Sequence, residues 1–246
     1  MEESAGGQIG PRAVEVWLAR PDDIADAGLL ASYERVLSDD ERERIGRLRF
    51  ARDRHTALVT RALVRDVLSR YGDRRPERWK FVRGTHGKPD VDPALGCPLR
   101  FNVSHTFGRV ACAVTLDRDI GVDVEASDRP GETVELADRF FSPDEVHALR
   151  SLPPHEQRAR FFVYWALKES YIKARGLGLA LPLDQFAFRL DDSGPIAIRF
   201  GPRIVDDPSS WTFHHAWASE QHSLAVSVRA PLGSVEISVH ETVPSV

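Results

Sequence analysis

Apolar and polar positions along the chain predict a definite order of elements. In AVEVWLA, residues 13–19, Val14, Val16 and Leu18 recur at every second position, the period of a strand with one buried face. The string SDDE matches a capping box, with Ser38 as N-cap and Glu41 three residues on, and predicts a helix start. Its partner helix is predicted over about residues 53–71, where Val59, Leu63 and Val67 recur at four-residue spacing before Gly72. Residues 83–98, RGTHGKPDVDPALGCP, are rich in Gly and Pro and predict a loop. LRFNVSH and RVACAVTL read as a hairpin joined at Thr106, Phe107 and Gly108, and IGVDVE, residues 120–125, as a further strand.

The second half repeats this order loosely. A helix over about residues 156–175 precedes strands near 185–190 and 195–200, and WTFHHAWASEQHSLAVSVR reads as another hairpin. Helix followed by antiparallel hairpin, twice, predicts an α+β protein of two similar halves, related by a pseudo-two-fold axis, with a boundary near Leu116–Ile120. The expected division is a tail over residues 1–12, one half over 13–117 and a second over 118–246. No low-complexity linker separates the halves, so tight packing is expected, with any site in the cleft between them.

Composition narrows the class. With 42% hydrophobic and 28% charged residues and no run of 18 apolar ones, the chain reads as soluble and without a membrane span. The opening MEESAGGQIGPRA has no apolar core and is expected to be a frayed cytoplasmic tail rather than a signal. Cys97 and Cys112 belong to no metal-ligand spacing and are read as buried thiols of a reducing compartment. The net charge of -4 argues against a nucleic-acid partner. Residues 41–80, however, carry thirteen Lys plus Arg against six Asp plus Glu, which suits a local anionic partner. Only four of the 33 basic residues are lysines, namely Lys80, Lys88, Lys168 and Lys173. They mark places where a compact ammonium is wanted rather than a planar fork.

Candidate chemistry gathers in three segments. On the strand IGVDVE, Gly121, Asp123 and Glu125 share one face. Two like charges that close call for a cation, and hard oxygen donors suit Mg²⁺; two solvated acids on an exposed face are the plain alternative. On the helix RFFVYWALKESYIKARGLG, Phe161, Phe162, Trp165 and Ile172 form the expected buried stripe, and Glu169 falls inside it. A buried carboxylate needs a cation, which Lys173 one turn on could supply, or a metal. Gly176 and Gly178 end the helix. In FNVSHTFG, Ser104 and His105 end a strand; without a GxSxG elbow they are no hydrolase signal, but both could donate to a phosphate. Lys88, in GKPD, is either a turn residue or an anion contact.

FNVSH, IGVDVE and WALKESYIK, in this order, together with the SxxERER helix start, the GKP loop, FFSPDE at 140–145 and GLGLALPLDQFAFRL, resemble the 4'-phosphopantetheinyl transferases of the Sfp type over most of the chain. The resemblance implies transfer of the phosphopantetheine arm of coenzyme A to a serine of an apo carrier protein, with release of adenosine 3',5'-bisphosphate. It implies Mg²⁺ on Asp123, Glu125 and Glu169, with Asp123, Glu169 and Lys173 catalytic: Lys173 at the leaving phosphate, Glu169 also helping to deprotonate the serine. It places Arg44, Lys88, Ser104, His105 and Lys173 at coenzyme A, and it implies a cytoplasmic monomer. A base frequent three positions before Arg44 is Glu41 here, so that phosphate contact is weaker or comes from Arg47, Arg54 or another arginine. His86 stands where Tyr is frequent. KES after the Trp resembles the subgroup serving peptide and polyketide synthase carriers. A non-catalytic coenzyme A or carrier-binding module is the alternative from another class, and the intact acid and lysine set favours the enzyme. A Mg²⁺-dependent nuclease or phosphatase leaves FNVSH and the GKP loop unexplained.

Overall fold

The structure is a computed structural model and describes residues 7–129, 134–191 and 194–246. It divides into two α+β units, one formed by Met1–Gly84, Pro89–Asp117 and Glu236–Val246, the other by Thr85–Lys88 and Arg118–Val235.

The first unit opens with β1 (Ala13–Ala19), whose alternate residues Val14, Val16 and Leu18 are buried as the pattern predicts. Three helices follow: α1 (Ala27–Val36), α2 (Asp39–Gly46) and α3 (Ala51–Tyr71). The Ser38–Glu41 capping box is present in both directions. Val59, Leu63 and Val67 of α3 are fully buried in the core of this unit, together with Phe101, Val110, Cys112 and Val114. β3 (Pro89–Val91) lies within the stretch 83–98 expected to be loop and pairs with β2 (Phe81–Arg83), which ends where that stretch begins, with Phe81 opposite Val91. β4 (Leu99–Thr106) and β5 (Arg109–Leu116) form the predicted hairpin, with Thr106 inside the ladder opposite Arg109. Gly108, at φ +73°, makes the turn.

The second unit holds β6 (Ile120–Ala126), α4 (Ala137–Phe140), α5 (Pro143–Arg150), α6 (Pro154–Arg175), the pair β7 (Phe186–Arg189) and β8 (Ala197–Phe200), and the hairpin β9 (Thr212–Ser219) and β10 (His222–Val228). Its sheet runs β6-β10-β9, antiparallel throughout, and α6 packs on it. The last strand, β11 (Glu236–Glu241), returns to the first unit and pairs in parallel with β1, giving the order β11-β1-β5-β4. It therefore leaves the half 118–246 to which the sequence pattern assigned it. Two contacts hold it there: the buried Arg109 donates to the half-exposed Glu241 at 2.8 Å, and the buried Tyr33 hydroxyl donates to the Pro244 carbonyl at 2.8 Å.

Two further expectations change. The first six residues of the expected tail lie outside the described residues, but Ile9 is 4% exposed and packs in the first core, so the chain is anchored before residue 13. Cys112 is buried and its thiol is pushed upward by burial and by the charge of Asp66, whereas Cys97 is only half-buried.

Candidate functional site

The acids of β6 meet the polar stripe of α6 because Gly121 lets strand and helix touch. A Cβ at Gly121 would lie 2.0 Å from the Ser170 carbonyl oxygen and 2.4 Å from the Ala174 nitrogen, a distance no other residue tolerates. Asp123 and Glu125 follow on the same strand face, and the helix offers Trp165, Glu169 and Lys173 at four-residue spacing. Lys173 Nζ lies 2.7 Å from Asp123 Oδ1, and Trp165 Nε1 donates to Glu125 Oε1 at 3.1 Å. Later strand residues thus meet earlier helix residues. Phe161, Phe162 and Ile172 are buried as expected, but Trp165 is half-buried with Glu169 and Lys173. The stripe reading fails there because Trp165 packs on Phe140 and Phe161 at the margin of the core and turns its indole N–H to the Glu125 carboxylate.

Both faces of β6 are covered, so solvated acids on an open strand are excluded: Asp123 is 3% exposed. Burial, followed by the charge of Asp123, raises the Glu125 carboxyl to about 7, against the pull of Arg129, Lys173 and the Trp165 indole. The same two causes raise Glu169, which Lys173 partly offsets. Arg129 pairs with Glu125 Oε2 at 3.1 Å. Arg158 holds the segment leaving β6, donating to the Ser127 carbonyl at 2.7 Å and to that of Arg129. Neither Trp165 nor Arg129 was named from sequence as a site residue. The spacing of Trp165 from Glu169 could have revealed the first; nothing local reveals the second.

Three desolvated carboxylates with neither His nor Cys form a hard-oxygen donor set, the kind that suits Mg²⁺. As the side chains stand, however, no group of three or more His, Cys, Asp or Glu among the described residues is gathered for an ion. The ammonium of Lys173 is at Asp123 and the guanidinium of Arg129 at Glu125 instead.

Lys88 Nζ donates to the Ile120 carbonyl at 2.9 Å and to the Ala174 carbonyl at 3.2 Å, tying the start of β6 to the end of α6. Lys168, another of the four lysines, is a core residue: its Nζ lies 2.8 Å from Glu145 Oε2 and donates to the Leu183 and Phe186 carbonyls. In the first unit, Ser104 is 5% exposed and His105 exposed, on opposite faces of β4 as neighbours on a strand must be. Arg44 lies on the exposed side of α2, 3.3 Å from Asp40. Glu41 is turned inward, with Arg65 at 2.5 Å and Arg61 at 3.5 Å. Burial opposes its charge, but Arg65, the Ser38 N–H and Arg61 outweigh it and hold the carboxyl below its ordinary range. Arg61 is itself lowered, first by burial and then by Arg83, Arg65 and Arg44, with Glu41 opposing. Three further guanidiniums therefore act on Arg61, which with Arg65 flanks the Glu41 carboxylate. Arg47 and Arg54, the replacements named from sequence, are occupied elsewhere, with Glu43 and with the Leu48 and Arg49 carbonyls.

Two family models match the chain: the 4'-phosphopantetheinyl transferase superfamily over residues 119–227, and the N-terminal region of 4'-phosphopantetheinyl transferases over 27–116. A 4'-phosphopantetheinyl transferase of Bacillus subtilis is 34% identical over 208 residues, covering 84% of this chain and 89% of the relative. The chain belongs to the 4'-phosphopantetheinyl transferases, and among them to the Sfp type. The Sfp protein of Bacillus subtilis strain 168 is 37% identical over 162 residues, covering 66% of this chain and 70% of that protein. An L-aminoadipate-semialdehyde dehydrogenase-phosphopantetheinyl transferase of Xenopus laevis is 30% identical, covering 85% and 72%. Among solved structures, the Thermotoga maritima holo-[acyl-carrier-protein] synthase matches at TM-score 0.36 and 21% identity, over 46% of this chain and 63% of that one, less than two thirds of its length. A Bacillus anthracis holo-(acyl-carrier-protein) synthase in complex with CoA (3',5'-ADP) matches at TM-score 0.35 and 20% identity, over 45% and 93%. The enzyme class is that of a phosphopantetheinyl transferase. The β6 acids and the polar stripe of α6 both lie inside the superfamily match.

Proposed function

We propose that this phosphopantetheinyl transferase moves the 4'-phosphopantetheine arm of coenzyme A onto a serine hydroxyl of an apo carrier domain, of the kind found in peptide, polyketide or fatty-acid synthases. The observation that carries this reading is the pairing of Asp123 and Glu125 on β6 with Lys173, Glu169 and Trp165 on α6. The serine oxygen forms a bond to the phosphorus bearing the pantetheine arm, and the bond from that phosphorus to the bridging oxygen breaks, releasing adenosine 3',5'-bisphosphate. Glu169, whose carboxyl is raised first by burial and then by the charge of Asp123, is the group we assign to receive the serine proton. Lys173 provides a point charge and a proton for the leaving phosphate, which an arginine would not surrender. Asp123, Glu125 and Glu169 would hold Mg²⁺, which when bound supplies positive charge to the pyrophosphate.

The adenosine end falls to Arg44, Lys88, Ser104 and His105. Arg61 and Arg83 are the arginines we assign to the phosphate contact that Glu41 does not supply: Arg61 feels the charges of Arg83, Arg65 and Arg44, and such a group of guanidiniums suits a phosphate monoester. Incubation with coenzyme A, Mg²⁺ and an apo carrier domain, followed by intact-mass measurement, tests the reading. A mass gain of one phosphopantetheine on the carrier serine is expected. Binding of coenzyme A without any gain would favour the non-catalytic module.

A further inference from the structure

We propose that Lys88 is a positioning residue of the transfer site: its ammonium braces the start of β6 against the end of α6. It thereby keeps the strand that carries Asp123 and Glu125 in register with the helix that carries Glu169 and Lys173. The inference rests on the transferase reading and refines the part given there to Lys88, whose ammonium acts through backbone carbonyls and not on the nucleotide. Both carbonyls stand where regular structure runs out. β6 is an edge strand in the order β6-β10-β9, and its Ile120 carbonyl lies 2.9 Å from Lys88 Nζ. Ala174, whose carbonyl lies at 3.2 Å, is in the last turn of α6, where carbonyls have no helical amide ahead of them. The Gly176 N–H serves the Ile172 and Lys173 carbonyls there, and Lys88 serves that of Ala174, at the helix end that favours a cation.

The chain is routed to deliver this ammonium. Thr85–Lys88 belongs to the second unit, although the residues on either side, up to Gly84 and from Pro89, belong to the first. These four residues lie along the turn that ends α6: a Cβ on Gly176 would sit 3.5 Å from Lys88 Cδ, and one on Gly178 would sit 3.6 Å from His86 Cβ. The choice of lysine fits the task in a chain where all but four of the 33 basic residues are arginines. A tetrahedral ammonium aims separate N–H bonds at carbonyls that approach from different elements, whereas the donors of a guanidinium share one plane. Lys168 is used in the same way, donating to the Leu183 and Phe186 carbonyls. The brace also acts close to the reacting groups along the chain. Lys173 immediately precedes Ala174, and Asp123 follows Ile120 by three residues, so the two carbonyls held by Lys88 set the backbone that aims both side chains.

Lys88→Met keeps most of the side chain's length and removes its donors. Hydrogen exchange of the full-length protein without coenzyme A, read by peptide mass, is expected to quicken several-fold around the Gly176 amide and to stay unchanged in α5. In transfer to an apo carrier domain, assayed well below Tm, kcat is expected to fall on the order of 10–100-fold while KM for coenzyme A stays within about twofold of wild type. A raised KM with wild-type kcat and unchanged exchange would make the ammonium an ordinary nucleotide contact and overturn the brace. Faster exchange with wild-type kcat would leave a structural tie only and overturn the positioning role. Where Lys88→Met does not fold, Lys88→Gln, which keeps N–H donors on a shorter and uncharged side chain, is read by the same two measurements. If the wild-type protein adds no mass to the carrier, the transferase reading falls and the positioning role with it, while the exchange measurement still decides the brace by itself.

Discussion

Glu41 shows how one side chain can be read correctly for local structure and incompletely for function. Its capping role is written in four consecutive residues and is present as read. Its partners Arg61 and Arg65 lie 20 and 24 positions away, and no local rule points to them. Glu41 pairs with both Arg65 and Arg61, and Arg61 in turn feels the charges of Arg44 and Arg83, so a position that looked like a lost base gathers two guanidiniums. Arg61→Gln should therefore reduce the preference for coenzyme A over dephospho-coenzyme A by roughly 10–100-fold in kcat/KM, the scale of one charge-assisted contact. Arg47→Gln, whose guanidinium pairs with Glu43 on an exposed helix face, should leave the ratio unchanged. Equal effects from both substitutions would reduce the cluster to diffuse attraction. The Lys173–Asp123 pair was hidden from sequence for a similar reason: spacing along α6 offered Glu169 as the partner, whereas the strand–helix crossing brings in a residue 50 positions away.

At the scale of elements, the strand IGVDVE and the helix after Pro154 were legible, but their contact depends on a residue chosen for having no side chain. Gly121→Ala must push β6 from α6 to clear the Ser170 carbonyl, at an overpacking cost of about 1–3 kcal/mol. It should lower Tm and reduce transfer more than coenzyme A binding, because Asp123 moves away from Lys173. On the other side of α6, the fully buried Lys168–Glu145 pair joins α5, α6 and the start of β7. Lys168→Ala leaves Glu145 charged in the core and should cost roughly 3–5 kcal/mol, seen as a large fall in Tm. The acids of β6 also give the element a pH signature. Glu125 titrates near 7 folded against 4.5 as the ordinary value, so between these pH values the folded chain holds the extra proton. Stability of the metal-free protein should then decline as pH rises from about 4.5 to about 7, the loss being complete above that. Glu125→Gln should flatten this part of the Tm profile. A profile identical to wild type would remove Glu125 as its source.

For the whole chain, the two-part organisation was visible as helix-then-hairpin order repeated about Leu116–Ile120, and the units change at Asp117–Arg118. What alternation could not show was the destination of the last strand. Strand period specifies which residues share a face, not which sheet receives them. β11 carries mostly exposed residues, a pattern that suits any edge, and its placement beside β1 is fixed by contacts more than 100 positions apart: Glu241 on Arg109, Pro244 on Tyr33 and Thr242 on Arg70. β11 also covers the edge of β1, which would otherwise present unpaired backbone groups for association. A chain ending at Val235 should therefore keep its second unit, with Asp123, Lys173 and α6 intact, while its first unit loses an edge strand and the partners of Arg109 and Tyr33. Two consequences separate this from general unfolding. Hydrogen exchange should accelerate in β1, β5 and α3 but not in β10 or α6, and coenzyme A affinity should fall while the backbone near Asp123 keeps its protection. Uniform acceleration in both units would mean that β11 stabilises the chain as a single cooperative body, and the assignment of the strand to the first unit's stability alone would be wrong.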